Sequence, residues 1–165
     1  MQERRLGVDI GRVIIDGGTK AFGGVEDTTF LGSRDEAAMA TPPVEGAFEA
    51  LALLVERFDG RVWLVSKCGE RIEARTRAWL AHHRFPERTG IPVDHVRFCR
   101  ERADKAIHCR ELGITDFVDD RPDVLGYLTG VVERRYLFGP QEQPIPDDVV
   151  PTRDWSAVLA AVASP

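Results

Sequence analysis

Short apolar runs alternate with longer stretches of helical spacing along this chain. Leu6 to Ile10, Val62 to Val65, His95 to Phe98, Phe117 to Val118 and Val131 to Leu137 are runs bounded by polar or glycine-containing turns, and such runs predict strands. Between them, Val44, Phe48, Leu51, Leu54, Val55 and Phe58 fall on one helical stripe after Pro42 and Pro43, which predicts a helix over 44–58 with the prolines as its start signal. Ile72, Thr76, Trp79 and Leu80 predict a second helix over 69–83, and a third over 103–112 stops at Gly113, a common residue at a helix end. A last helix over 155–163 follows Asp154. Strands and helices in alternation predict a three-layer, Rossmann-like α/β architecture around a parallel sheet of five strands.

Two stretches interrupt the alternation. Residues 12–43 separate the first strand from the first long helix and contain Gly17, Gly18, Gly23 and Gly24. They predict a flap-like loop or small hairpin, and a loop of that length in a compact domain is more often functional than accidental. Residues 139–151 carry Pro140, Pro144, Pro146 and Pro151, which predicts an extended connection to the C-terminal helix.

Size and charge narrow the classes. A chain of 165 residues, 43% hydrophobic and 30% charged, suits one domain over 1–165 without a second core. Its longest apolar runs, 50–55 and 157–163, fall far short of the roughly 20 residues that span a bilayer. With no signal-peptide pattern at the N-terminus, the expected location is cytoplasmic. A formal net charge of -5 disfavours non-specific binding to a phosphate backbone. Cys68, Cys99 and Cys109 form no CxxC pair and are odd in number, so they read as reduced thiols packed as small hydrophobes.

The chemistry concentrates where apolar strands run out. The first strand ends at Asp9, with Gly11 and Val13 beyond it. The second ends at Ser66 and Lys67, Lys105 lies on the helix before the fourth strand, and that strand ends at Asp119 and Asp120. In open α/β sheets, ligands bind beyond the carboxyl ends of the strands, where strand order reverses. One acid at a strand end is an ordinary turn residue; an acid, a hydroxyl, a lysine and an acidic pair at successive switch positions are a constellation.

This order resembles the haloacid dehalogenase (HAD) superfamily of phosphohydrolases and phosphotransferases over nearly the whole chain, from Leu6 to about Leu137. That family's motifs run DxDx[TV], Ser or Thr, Lys and an acidic pair, matched here by Asp9 to Val13, Ser66, Lys105 and Asp119-Asp120. The stretch from Phe117 to Val124 is most similar to the small nucleotidase and polynucleotide phosphatase branches. The resemblance implies a strand order 5-4-1-2-3 and an aspartyl-phosphate mechanism with Asp9 as nucleophile. It implies Mg²⁺ held by an Asp9 oxygen, the Gly11 carbonyl and a carboxylate of Asp119 or Asp120. Ser66 would donate a hydrogen bond to the phosphate, Lys105 would hold nucleophile and phosphate by charge, and Lys67 and Arg121 lie close enough in sequence to touch substrate. With no large cap domain, the implied site is open to a large phosphorylated substrate or completed by a second copy in an oligomer.

Gly11 departs from the pattern. Phosphatase members carry a second Asp there, which protonates the leaving oxygen and later activates water. Glycine keeps the metal-binding carbonyl and loses the acid. Three readings stay open: a phosphohydrolase for substrates with good leaving groups, a member of the carbon-halogen or carbon-phosphorus branches, or a catalytically silent binding or regulatory domain. A receiver domain fits less well because its acidic pair follows the first strand, and the chain has no GxxxxGK[ST] loop for a P-loop enzyme. Outside this set, Arg71, Arg75 and Arg77 interleave with Glu70 and Glu73 and predict a solvated helix face. His82 and His83 predict a structural role at a helix C-terminus.

Overall fold

The computed structural model describes residues 2–17, 30 and 34–165. Six strands, β1 (Leu6–Val8), β2 (Val62–Lys67), β3 (Val96–Cys99), β4 (Asp116–Asp119), β5 (Arg134–Phe138) and β6 (Val150–Thr152), form one sheet in the order β3-β2-β1-β4-β5-β6. Every neighbouring pair is parallel. The chain builds outward from β1 through β2 to β3, then crosses to β4 on the other side. The switch point therefore lies between β1 and β4.

The helices are α1 (Asp35–Met39), α2 (Ala47–Arg57), α3 (Glu70–His82), α4 (Phe85–Thr89), α5 (Lys105–Leu112), α6 (Pro122–Tyr127) and α7 (Trp155–Ala163). Alternate residues of the strands feed two cores. Val62 and Leu64 of β2 with Val118 of β4 and Tyr136 of β5 pack under α2, α3 and α7, where Leu51, Trp79 and Val158 are fully buried. On the other face, Val65, Phe117 and Leu137 pack against Cys109 of α5 and Leu125 of α6. Period-two alternation on strands buried on both sides gives the three layers.

The sheet has six strands where the sequence pattern predicts five. Val150–Thr152 lies in the proline-rich stretch, yet it pairs with Tyr136 to Phe138. Gly139 donates its N–H to the Thr152 carbonyl at 2.9 Å, and the Thr152 hydroxyl donates to the Leu137 carbonyl at 3.0 Å. Pro151 is tolerated because β6 is an edge, where a strand can lack a ladder donor. His95 sits in a 3-10 turn before β3, and Val131 and Val132 precede β5. α1 and α4 are short helices that the apolar pattern does not announce. Within the predicted flap, residues 18–29 and 31–33 lie outside the described residues.

Two long-range bonds tie α7 to the N-terminal part of the chain. The Trp155 indole N–H donates to the Val13 carbonyl at 2.8 Å, across 142 positions. The Arg4 guanidinium donates to the Val162 carbonyl at 3.1 Å. Arg4 also reaches Asp116 at the start of β4, whose carboxylate accepts from Thr115 Oγ1 at 2.6 Å and Tyr136 Oη at 2.8 Å. No helix among the described residues is long and apolar enough to cross a membrane.

Candidate metal and phosphate site

Asp9 stands one residue beyond β1, and its N–H donates to the Val118 carbonyl of β4 at 3.0 Å, which fixes it at the switch point. The Ile10 carbonyl then accepts from the N–H groups of Val13, Ile14 and Ile15 at 3.3, 2.8 and 3.1 Å. This tight turn leaves Arg12 at φ +66°, a left-handed conformation uncommon for a residue with a Cβ. Gly11 lies inside the turn with open space where a side chain would point.

Lys105, the first residue of α5, is 2% exposed. Its Nζ donates to Asp9 Oδ1 at 2.9 Å and to Asp119 Oδ2 at 2.8 Å. The other Asp119 oxygen accepts the Arg121 N–H at 3.0 Å. Burial alone would lower the Lys105 pKa, but the charges of Asp9 and Asp119 outweigh it and hold the ammonium above its ordinary range. Asp119 is pushed up to about 6, first by burial and then by the charge of Asp9. Asp120 is pushed up to about 8 by burial and by the charges of Asp9 and Asp119.

One carboxylate oxygen each from Asp9, Asp119 and Asp120 lies within 4.8 Å of the others. Buried carboxylates this close repel one another, and the raised pKa values of Asp119 and Asp120 express burial together with that repulsion. Hard oxygen donors in such a cluster suit Mg²⁺, which keeps part of its water shell and takes a few carboxylates. The backbone at Gly11 borders the same space, so the expected donor set fits the ion.

A pocket of about 360 Å³ opens over this cluster, and Asp9, Gly11, Ser66, Lys67, Lys105 and Asp120 all line it. Asp119 is fully buried and does not border the pocket itself. Ser66 is buried at the end of β2, whereas Lys67 beside it is exposed. Arg102, Phe30 and Thr76, which the sequence did not mark as site residues, also border the pocket. Arg102 precedes α5 in a 3-10 turn, and Thr76 belongs to the buried stripe of α3, so position relative to Ser66 and Lys105 was the available signal.

Arg75 corrects the expected solvated helix face. Its guanidinium is buried, donating to the Phe30 carbonyl at 2.6 Å and to Asp35 Oδ1 at 2.9 Å. Arg75 lies three residues after Ile72 and four before Trp79, on the inward side of α3. Arg77 remains partly exposed and pairs with Glu73. His83 Nε2 meets the Met39 carbonyl at 2.8 Å and its ring packs on Trp79. Cys99 and Cys109 are buried and Cys68 is partly so, all three as free thiols.

No protein-family model and no curated protein matches the chain. Solved structures do. A D,D-heptose 1.7-bisphosphate phosphatase from B. bronchiseptica, complexed with magnesium and phosphate, is 15% identical over 96% of this chain and 97% of its own, with a TM-score of 0.66. A haloacid dehalogenase-like family hydrolase from Xanthomonas campestris is 11% identical over 98% and 96%, with a TM-score of 0.63. A HAD-superfamily hydrolase from Ehrlichia chaffeensis is 11% identical over 98% and 97%, with a TM-score of 0.61. The strand order, the switch-point site and these near-complete overlaps together give the chain the fold of the haloacid dehalogenase-like hydrolases.

Proposed function

We propose that this protein is a member of the HAD superfamily and a Mg²⁺-dependent phosphohydrolase that works through an aspartyl-phosphate. The observation that carries the reading is Lys105, buried and bonded at once to Asp9 and Asp119, with Asp120 beside them at the mouth of a pocket. The neighbour bound to magnesium and phosphate supports it.

In this reading an Asp9 oxygen attacks phosphorus, the bond from phosphorus to the leaving oxygen breaks, and that oxygen departs with the electron pair. Water then attacks the phosphoaspartate, releasing inorganic phosphate and restoring Asp9. Lys105 fixes the Asp9 carboxylate by bonding one of its oxygens, while the Ser66 hydroxyl and Lys67 ammonium supply donors for the phosphoryl oxygens. Asp9, the Gly11 carbonyl, Asp119 and Asp120 would hold Mg²⁺, which when bound offsets the repulsion between carboxylate and phosphate dianion. Because position 11 has no acid, aryl and acyl phosphates, which leave as stable anions, are the favoured substrates.

The test is hydrolysis of acyl, aryl and alkyl phosphates with Mg²⁺ and with chelator. Aryl and acyl esters are expected to turn over with the ion present, and Asp9→Asn to lose about 10³-fold or more. Hydrolysis that survives Asp9→Asn overturns the mechanism. The vacant space at Gly11 favours a second reading, a catalytically silent binding or regulatory domain; Mg²⁺ binding without hydrolysis of any ester selects it.

A further inference from the structure

The pocket over Asp9 has a markedly cationic lining. Arg12, Lys67, Arg102, Lys105 and Arg121 border it against the acids Asp9, Asp16 and Asp120. Arg102 and Arg121 come from different elements, one before α5 and one between β4 and α6, and both turn to the same carboxylate. Arg121 Nε lies 3.1 Å from Asp123 Oδ1, and an Arg102 terminal nitrogen lies 3.7 Å from Asp123 Oδ2. Both side chains are about two-fifths exposed, so they stand at the rim of the pocket.

A second cavity, of about 850 Å³, adjoins the first and shares Arg12, Asp16, Gly17 and Asp120 with it. Its lining has the opposite balance: Glu45, Glu49, Glu142 and Asp154 join the two shared acids, and Arg153 joins only Arg12. A ligand extending from the phosphate position thus meets a basic rim on one side and an acidic cavity on the other. Two negative groups on one ligand are repelled from the acidic side and attracted to the arginines. Paired guanidiniums are well matched to carboxylate or phosphate oxygens.

We propose that Arg102 and Arg121 form a subsite for a second anionic group of the substrate, so that the substrate class is a phosphate ester carrying a carboxylate or another phosphate. The proposal rests on the pocket over Asp9 taking the reacting phosphate. Asp123 holds the two arginines in the meantime and competes with that second group.

The experiment compares 4-carboxyphenyl phosphate, p-tolyl phosphate and 4-(aminomethyl)phenyl phosphate, which share a good leaving group and differ in the charge opposite the phosphate. Both kcat/KM and the Kd from calorimetry with Mg²⁺ are read. The carboxylate ester is expected to be favoured about ten-fold over the neutral one at low salt, with the ammonium ester last. Arg102→Gln and Arg121→Gln should each shrink that ratio, and Asp123→Asn should enlarge it, a change that a merely structural role for these residues would not produce. Hydrolysis with no charge preference leaves the phosphohydrolase reading standing and overturns the subsite. An arginine-dependent preference in binding without turnover does the reverse. Preference for the ammonium ester, or no binding of any ester, overturns the subsite.

Discussion

Strand β4 carries a fully buried aspartate at each end, and the two are treated differently. Asp116, at the start, accepts from the Arg4 guanidinium, the Tyr136 hydroxyl and the Thr115 hydroxyl. Asp119, at the other end, shares Lys105 with Asp9 and has Asp120 as its neighbour. The pairing around Asp116 draws on a guanidinium and two hydroxyls that are all held by the fold. Around Asp119 the carboxylates still repel, and burial with the charges of Asp9 and Asp119 pushes the Asp120 pKa up to about 8. Buried charge that is matched is architecture, whereas buried charge left in excess is a place for something that binds.

The largest expected effect comes from two glycines on either side of this contrast. A Cβ at Gly7, within β1, would lie 2.5 Å from Phe117 Cδ2, whereas one at Gly11 meets nothing within 4 Å. Gly11→Asp is therefore expected to fold and to raise alkyl phosphate hydrolysis by about 10²- to 10⁴-fold, the usual worth of general acid-base assistance. Asp9→Asn combined with Gly11→Asp should stay inactive. Gly7→Ala should cost about 1–3 kcal/mol by overpacking, read by denaturant unfolding.

Next in size is a pair of aspartate replacements. Asp116→Ala strands the Tyr136 hydroxyl and removes the carboxylate partner of Arg4, and is expected to cost about 2–4 kcal/mol of stability. Asp119→Asn with Asp120→Asn relieves repulsion, so the metal-free protein should keep or gain stability. Mg²⁺ is expected to stabilise the wild type by about 2.7 kcal/mol at a hundred times Kd, raising its melting temperature, and the same double variant should lose that rise. A Mg²⁺ shift that survives in the double variant would break the comparison.

A smaller effect is one of pH. In the metal-free protein the folded pKa values of Asp119 and Asp120, about 6 and about 8, lie above the unfolded value near 3.9. Between these limits the folded state binds more protons than the unfolded one, so stability falls as pH rises from about 4 to 8. Chelated protein should show that slope in its melting temperature, and Asp119→Asn with Asp120→Asn should flatten it. A flat profile in chelated wild type would contradict the crowding of carboxylates.

Much of this contrast was legible in the sequence, and the rest was hidden for definite reasons. Asp9, Ser66, Lys105 and Asp119-Asp120 each follow or precede an apolar strand, so linear position alone places them at one rim. Asp116 looks the same in sequence as Asp119, and only the fold brings Arg4 and Tyr136 to one of them. β6 escaped notice because its three residues sit among prolines and gain their order from pairing with β5. Arg75 escaped because charge masked its position on the buried stripe of α3. The second cavity draws on residues near 45, 140 and 154, and no spacing rule assembles segments so far apart.

The bond from the Trp155 indole to the Val13 carbonyl bears on the order of events in making the molecule. The turn after Asp9 and the helix residue that fixes it lie 142 positions apart, and the turn is synthesised first. Contacts of such sequence separation close late, since a long loop must be ordered before any of them forms. During synthesis the turn after Asp9 therefore waits for α7 to leave the exit tunnel before this bond can fix it.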